Sequence, residues 1–186
     1  MRYFKSQSGR GFNIIELVVI TAIIAVLFGA VVTNLKEGEK GRNVKLAADS
    51  VQSALRQMQN NILSGQVHSV SGKAAGSYGF KITNNGTSYT TFVEELNKTA
   101  YAVLETVNLP NKISITNLVV DGNASTSLEV RFYPPFGKIK MDYVKLAGGS
   151  VADAENVQAS FDLMYQGTSH KKTIVIDGIS GRIEMQ

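Results

Sequence analysis

Glu16 is the residue of this sequence that most needs a chemical partner, because it stands inside a long apolar run. The run covers residues 12–32, and Glu16 is its single charged residue. A carboxylate in a membrane helix costs about 2.5 to 3.5 kcal/mol on insertion scales, and a nearby positive group would offset that cost. We therefore predict an ion pair at Glu16. The alternative is that the headgroups solvate Glu16 and that the segment is a plain anchor.

Reactive side chains elsewhere do not form a recognisable catalytic or metal-binding pattern. The sequence has no cysteine, which excludes disulfides, thiolate metal sites and a cysteine nucleophile. Its two histidines, His68 and His170, stand in separate segments without metal-ligand spacing. We expect His170 to lie in a solvated turn. The sequence thus predicts a protein that is not an enzyme and that holds no cofactor or metal.

The apolar run has the length of a transmembrane helix. Its roughly 21 residues, at about 1.5 Å each, cover roughly 31 Å, which matches a hydrocarbon core of about 30 Å. Arg2, Lys5 and Arg10 precede it without any acidic residue, so the positive-inside bias places the N-terminus in the cytoplasm and the remainder outside. These three residues supply most of the formal net charge of +4, which is therefore weak support for a nucleic-acid partner.

A glycine–phenylalanine junction separates the basic residues from the apolar run. Residues 8–17 read SGRGFNIIEL, with Gly11 and Phe12 at the junction and Glu16 four residues further on. This arrangement resembles the processing signature of type IV pilins and type II secretion pseudopilins. The glycine, the phenylalanine, the glutamate and the uninterrupted apolar run all occur at the expected offsets.

The resemblance implies a processing route and a set of partners. A prepilin peptidase would cut after Gly11 and methylate the new amino group of Phe12, and that amine would pair with Glu16 of the same or a neighbouring subunit. The family also implies a lipid bilayer, an inner-membrane assembly platform, and copies of this chain or other pilin subunits as partners. The expected location is the cell membrane, single-pass with a cytoplasmic N-terminus, and then an extracellular or periplasmic filament.

Beyond the apolar run the sequence predicts an amphipathic helix. Gly38 and Gly41 favour a kink, local unwinding or a flexible linker, since glycine weakens a helix interior by about 1 kcal/mol. The helical pattern then continues to Leu63, and Ser64-Gly65 provides a stop signal. The residues with helical spacing that we expect to pack on a globular domain are Val44, Ala48, Val51, Leu55, Met58 and Ile62.

The chain after Gly65 has the alternating pattern and turn residues of β-structure. Asn84-Asn85-Gly86-Thr87 predicts a hairpin turn between strands at residues 78–83 and 88–93. Further predicted strands cover residues 113–120, 128–133, 138–144, 159–165, 173–176 and 182–185. Residues 134–137 predict a turn, residues 174–183 a terminal hairpin and residues 147–156 a loop. Residues 94–105 are left open between a strand continuation and a short helix.

The predicted fold class is α+β, type IV pilin-like, with a long N-terminal helix packed on a C-terminal antiparallel sheet. Residues 1–11 are the basic leader, 12–33 the transmembrane half of the helix, 34–64 its amphipathic half, and 65–186 the β-rich globular domain. The stretch 49–66 and the pair Gly181-Arg182 also resemble the minor pseudopilin H group.

The predicted function is that of a structural subunit of a type IV pilus-like filament. An alternative is a minor pilin or pseudopilin of a type II secretion or DNA-uptake machine, with a role in binding DNA or substrate. Lys171, Lys172 and Arg182 would then gather beside the terminal hairpin, although Asp177 and Glu184 would dilute their charge. A third possibility is a single-span surface protein that never polymerises and keeps residues 1–11.

Overall fold

Residues 13–65, 74–96 and 101–186 are described by a computed structural model. Within these residues the chain forms one α-helix and ten β-strands. The chain divides into two compact units, Met1–Glu39 and Lys40–Gln186. Helix α1 (Ile14–Leu63) contributes residues to both units.

Helix α1 begins and ends at residues that cap its free backbone groups. At the N-terminal end the side-chain Oδ1 of Asn13 accepts a hydrogen bond of 3.4 Å from the amide of Ile15. At the other end Gly65 has a φ of 64°, the left-handed conformation that commonly terminates helices. The predicted stop is therefore confirmed. The local unwinding and the flexible linker considered at Gly38 and Gly41 are both wrong, because α1 continues through both glycines, and a kink there stays a prediction.

The second half of α1 packs on the sheet of the Lys40–Gln186 unit. All six residues of the predicted stripe are buried, and Ala47 and Ala54 are buried beside them. They form one apolar core with side chains of the sheet such as Phe80, Phe132 and Phe161. Burial of this face stabilises the helix, since most helical stability in proteins comes from tertiary packing.

The strands follow α1 in sequence. They are β1 (Ala75–Thr83), β2 (Ser88–Glu95), β3 (Tyr101–Asn108), β4 (Ile113–Val120), β5 (Asn123–Tyr133), β6 (Lys138–Lys145), β7 (Ser150–Glu155), β8 (Gln158–Tyr165), β9 (Lys171–Asp177) and β10 (Ile183–Met185).

All strand pairs are antiparallel, and β5 connects two parts of a curled sheet. The strand order is β10-β9-β8-β4-β5-β1-β2-β3, while β6 pairs with both β5 and β7. The first residues of β5 pair with β4, as Ala124 does with Val119. From Ser127 onward β5 instead lies between β1 and β6. The coarse prediction of an α+β fold with an antiparallel sheet is thus confirmed.

Most predicted strands and turns of the sheet are found, but one segment predicted to be a loop contains a strand. The hairpin formed by β1 and β2 has the predicted turn, and residues 134–137 also form a turn. Residues 147–156 were expected to be a loop, but they contain β7. Of the segment left open, part belongs to β2 and part to β3, and residues 97–100 lie outside the described residues.

The prediction failed at β7 because its stability comes from its neighbour. The sequence of β7, SVADAE, is poor in the β-branched and aromatic residues that favour strands. It is nevertheless held by pairing with β6 and by a salt bridge of 2.6 Å between Lys138 Nζ and Glu155 Oε2. Tertiary context therefore overrides local propensity.

Candidate functional site

The predicted processing site lies at the edge of what the structure describes. Gly11 and Phe12 are outside the described residues, whereas Glu16 is in the first turn of α1. A carboxylate in this position interacts favourably with the positive end of the helix dipole. Among the described residues no group forms a hydrogen bond or ion pair with the Glu16 side chain. Its predicted partner, the amine of Phe12, stays a prediction.

In the apolar part of α1, the hydroxyl groups of two threonines donate hydrogen bonds to carbonyl groups of the same helix. The hydroxyl of Thr21 donates to the carbonyl of Val18 at 2.9 Å. The hydroxyl of Thr33 lies 3.1 Å from the carbonyl of Gly29 and 2.9 Å from that of Ala30. Neither threonine therefore needs water as a partner, a condition that polar groups must meet in the hydrocarbon region.

The same stretch of α1 is exposed and long. Residues 13–39 are all exposed, including Leu27 and Phe28. The helix contains a segment long and apolar enough to cross a membrane. A segment of this type differs from a core helix, which would be mostly buried. The length and composition predicted for the span are confirmed at this level.

Polar side chains of α1 attach the C-terminal strand to the helix. The side-chain amide of Gln59 donates to the carbonyl of Gly181 at 3.1 Å. The carbonyl of Ile183 accepts from Gln52 Nε2 and from Arg56 Nη2, each at 3.3 Å. The sequence analysis did not predict this connection. The available signal was the spacing of the two glutamines, which lie seven residues apart and therefore on the same side of α1.

The three predicted DNA-binding residues are not brought together. Lys171 and Lys172 begin β9, whereas Arg182 is opposite its far end, where the Asp177 amide donates to the Arg182 carbonyl at 2.9 Å. Six residues of strand separate Lys171 from Asp177, a distance of about 20 Å. Arg182 also pairs with Glu184. The structure therefore offers no joint phosphate site for these three residues.

Lys171 belongs to a buried polar cluster around Asp162. The Asp162 carboxylate accepts from Lys171 Nζ at 2.9 Å, from Asn117 Nδ2 at 2.8 Å and from the Thr173 hydroxyl at 2.6 Å. Burial acts to raise the pKa of Asp162, but these hydrogen bonds outweigh it and the pKa is lowered. The cluster keeps Asp162 ionised and ties β4, β8 and β9 together.

A second charged network surrounds Arg131 on β5. Its guanidinium lies 3.3 Å from Glu94 and 2.9 Å from Glu129, and it also pairs with Asp142. Burial acts to lower the pKa of Arg131, but the hydrogen bond to Asp142 and the charges of the three carboxylates raise it. The three carboxylates surround Arg131, although its buried Nε makes no hydrogen bond within the described residues, and the network links β2, β5 and β6.

A groove of about 450 Å³ lies between α1 and strands β2 and β3. Hydroxyl and amide side chains line it, and Ser50 Oγ lies 3.0 Å from the Tyr89 hydroxyl. Glu105 is its one charged lining residue. Within the described part of the chain, no three His, Cys, Asp or Glu side chains are grouped so that they could hold a metal ion.

Comparisons with known proteins do not assign this chain to a family. No protein-family model, curated protein or solved structure matched this chain.

Proposed function

We propose that this chain is a structural subunit, a pilin or pseudopilin, of a type IV pilus-like filament. The observation that carries the proposal is the division of α1 into two halves of different character. Its first half is apolar and exposed, and its second half is buried on an antiparallel sheet. A helix of this kind can hold a subunit in a bilayer and later pack against equivalent helices.

The chemistry proposed for assembly is the pairing of Glu16 with a new N-terminal amine. Cleavage after Gly11 by a prepilin peptidase would create that amine on Phe12, and methylation would leave it positively charged. Two opposite charges removed from water stabilise each other only when both are present. An incoming subunit could therefore supply the amine that neutralises Glu16 of its neighbour.

The proposed route begins in the cell membrane with the N-terminus in the cytoplasm. The assembly platform of the inner membrane would then extract the subunit into a filament outside the cell or in the periplasm. Lys36 and Lys40 mark the polar end of the apolar segment. The Lys40–Gln186 unit would lie on the outer side throughout this route.

The other two functions have less support. The alternative of a DNA-binding minor pilin relies on three basic residues, of which Lys171 and Lys172 begin β9 and Arg182 lies opposite its far end. A single-span surface protein would use the same apolar segment, but it would need neither Glu16 in the first turn nor removal of residues 1–11. We therefore favour the filament subunit.

The topology of the proposed route can be tested with single cysteines, because the natural chain contains none. Ser180 lies in an exposed turn, and Ser8 belongs to the predicted leader. In spheroplasts that lack prepilin peptidase, an impermeant maleimide should label Ser180→Cys and leave Ser8→Cys unlabelled until the membrane is dissolved. Labelling of Ser8→Cys alone in intact spheroplasts would contradict the proposed orientation.

A further inference from the structure

A small basic cleft lies where the turn between β8 and β9 meets α1. Its volume is about 260 Å³, and Gly41, Val44, Ser169, His170, Lys171 and Lys172 line it. The turn lies beside the helix here, since a Cβ at residue 41 would be 3.9 Å from His170 Nδ1, an ordinary van der Waals distance. The cleft thus combines a backbone recess with ammonium, imidazole and hydroxyl groups.

The positive charge of this cleft is only partly neutralised. Lys171 pairs with Asp162, but its side chain remains 54% exposed. Within the described residues Lys172 makes no ion pair, and neither does Lys45, which lies one turn after Gly41 on α1. Asp49 follows Lys45 by one further turn, and Glu39 precedes Gly41. The lining itself contains two lysines and no acidic residue, so a compact anion in the cleft would contact only basic or neutral side chains.

The cleft is also close along the chain to the apolar segment. Gly41 follows Leu35, the last apolar residue of α1 before Lys36, by six residues. Six residues cannot span more than about 22 Å even when fully extended. If the segment inserts in a bilayer, residue 41 can therefore be no farther than this from Leu35, near the polar end of the segment.

We propose that this cleft binds the phosphate of anionic phospholipid headgroups. The inference rests on the anchoring role in the proposed function and adds a lipid preference to it. Lysine ammonium groups interact favourably with phosphate, and a basic residue near an anionic membrane surface strengthens binding by about fivefold. A duplex of DNA is a poorer occupant, because it would require basic residues along a longer surface than this recess offers.

The test uses the full chain reconstituted in phosphatidylcholine bilayers with trace spin-labelled lipids. Spin-labelled phosphatidylglycerol should associate with the protein several-fold more strongly than spin-labelled phosphatidylcholine. Lys172→Gln should reduce that preference about fivefold. Lys145→Gln removes the same charge from the end of β6, which lies at the opposite end of β4 from the β8–β9 turn, and should leave the preference unchanged.

Each other outcome is informative. Equal association of the two lipids, or equal loss in both variants, would overturn the headgroup site. Displacement of phosphatidylglycerol by a short DNA duplex at physiological salt would overturn it in favour of nucleic acid. Failure of the natural chain to float with neutral vesicles would instead contradict the anchoring role, so the two failures are distinguishable.

Discussion

The ring of Phe92 lies on the backbone of Gly79, in the space that a side chain at residue 79 would occupy. The two residues are paired across β1 and β2. Tyr78 and Phe80 belong to the apolar core shared with α1, so strand alternation puts Gly79 on the other face of the sheet. Phe92 is nevertheless fully buried, since Tyr101 packs against it with ring centroids 4.7 Å apart.

Gly79→Ala should destabilise the Lys40–Gln186 unit by about 1 to 3 kcal/mol, the usual cost of overpacking. The backbone of Gly79 is not in the left-handed region, so the effect is steric. Urea unfolding of the full chain in detergent micelles would measure it. In the background of Phe92→Leu the same substitution should cost less, because the smaller side chain leaves room. Additive effects of the two substitutions would contradict the proposed contact.

Much of this fold could be predicted from local patterns. The buried stripe of α1 follows from helical spacing, and the hairpin of β1 and β2 follows from alternation around Asn85-Gly86. The predicted turn places Gly79 opposite Phe92, but the packing of the Phe92 ring over Gly79 could not be predicted, because it depends on the ring's orientation and on Tyr101 of β3. β3 was also ambiguous, since it is an edge strand exposed on both faces and lacks a buried alternation.

The site was predictable only in part. Glu16 and the span of α1 follow from a charge in an apolar run, a pattern that needs no tertiary information. The separation of Lys171 from Arg182 depends on which end of β9 each residue occupies, and composition does not contain that information. The attachment of Gln59 to Gly181 is likewise a contact between distant parts of the chain.

Asp162→Asn should make the fold less stable at neutral pH and less sensitive to acid. The folded pKa of Asp162 is lowered, so its stabilising effect is present above the unfolded value of about 3.9 and is lost as pH falls through the folded pKa. Loss of the carboxylate, which lies within hydrogen-bonding distance of three donors, should cost about 1 to 3 kcal/mol at pH 7.

Unfolding in urea between pH 7 and pH 2 would measure both effects. The natural chain should lose stability over the acidic range, and Asp162→Asn should show a flatter profile. Asp121→Asn is the matched control, because that carboxylate is exposed in a turn and has no hydrogen bond within the described residues. Parallel pH profiles for all three proteins would show that Asp162 does not carry the effect.

Gln59→Ala should loosen the C-terminal strand without unfolding the unit. The substitution removes the hydrogen bond to the Gly181 carbonyl, a loss of about 0.5 to 1.5 kcal/mol. Amide hydrogen exchange in β10 should accelerate by about threefold to tenfold, since local opening then costs less. Gln57→Ala is the control, because Gln57 lies on the same helix and lines the groove beside β3. Equal exchange in the two variants would argue against the attachment.

Glu16→Ala should leave leader removal nearly intact and reduce incorporation into filaments by at least about tenfold. The reason is that the N-terminal amine would lose its partner in an apolar setting, which costs about 3 to 5 kcal/mol for a buried pair. The measurement compares the subunit in sheared filaments with that in membranes. Thr21→Ala should assemble normally, because that hydroxyl bonds within its own helix. Normal assembly of Glu16→Ala would rule out the pairing.

The most direct test of the central claim is the intact mass of this subunit in filaments sheared from the producing cells. The account predicts a species that begins at Phe12 and carries one methyl group on its amine. A mature protein that retains residues 1–11 would contradict the account and would leave a membrane-anchored protein that is not processed as a pilin.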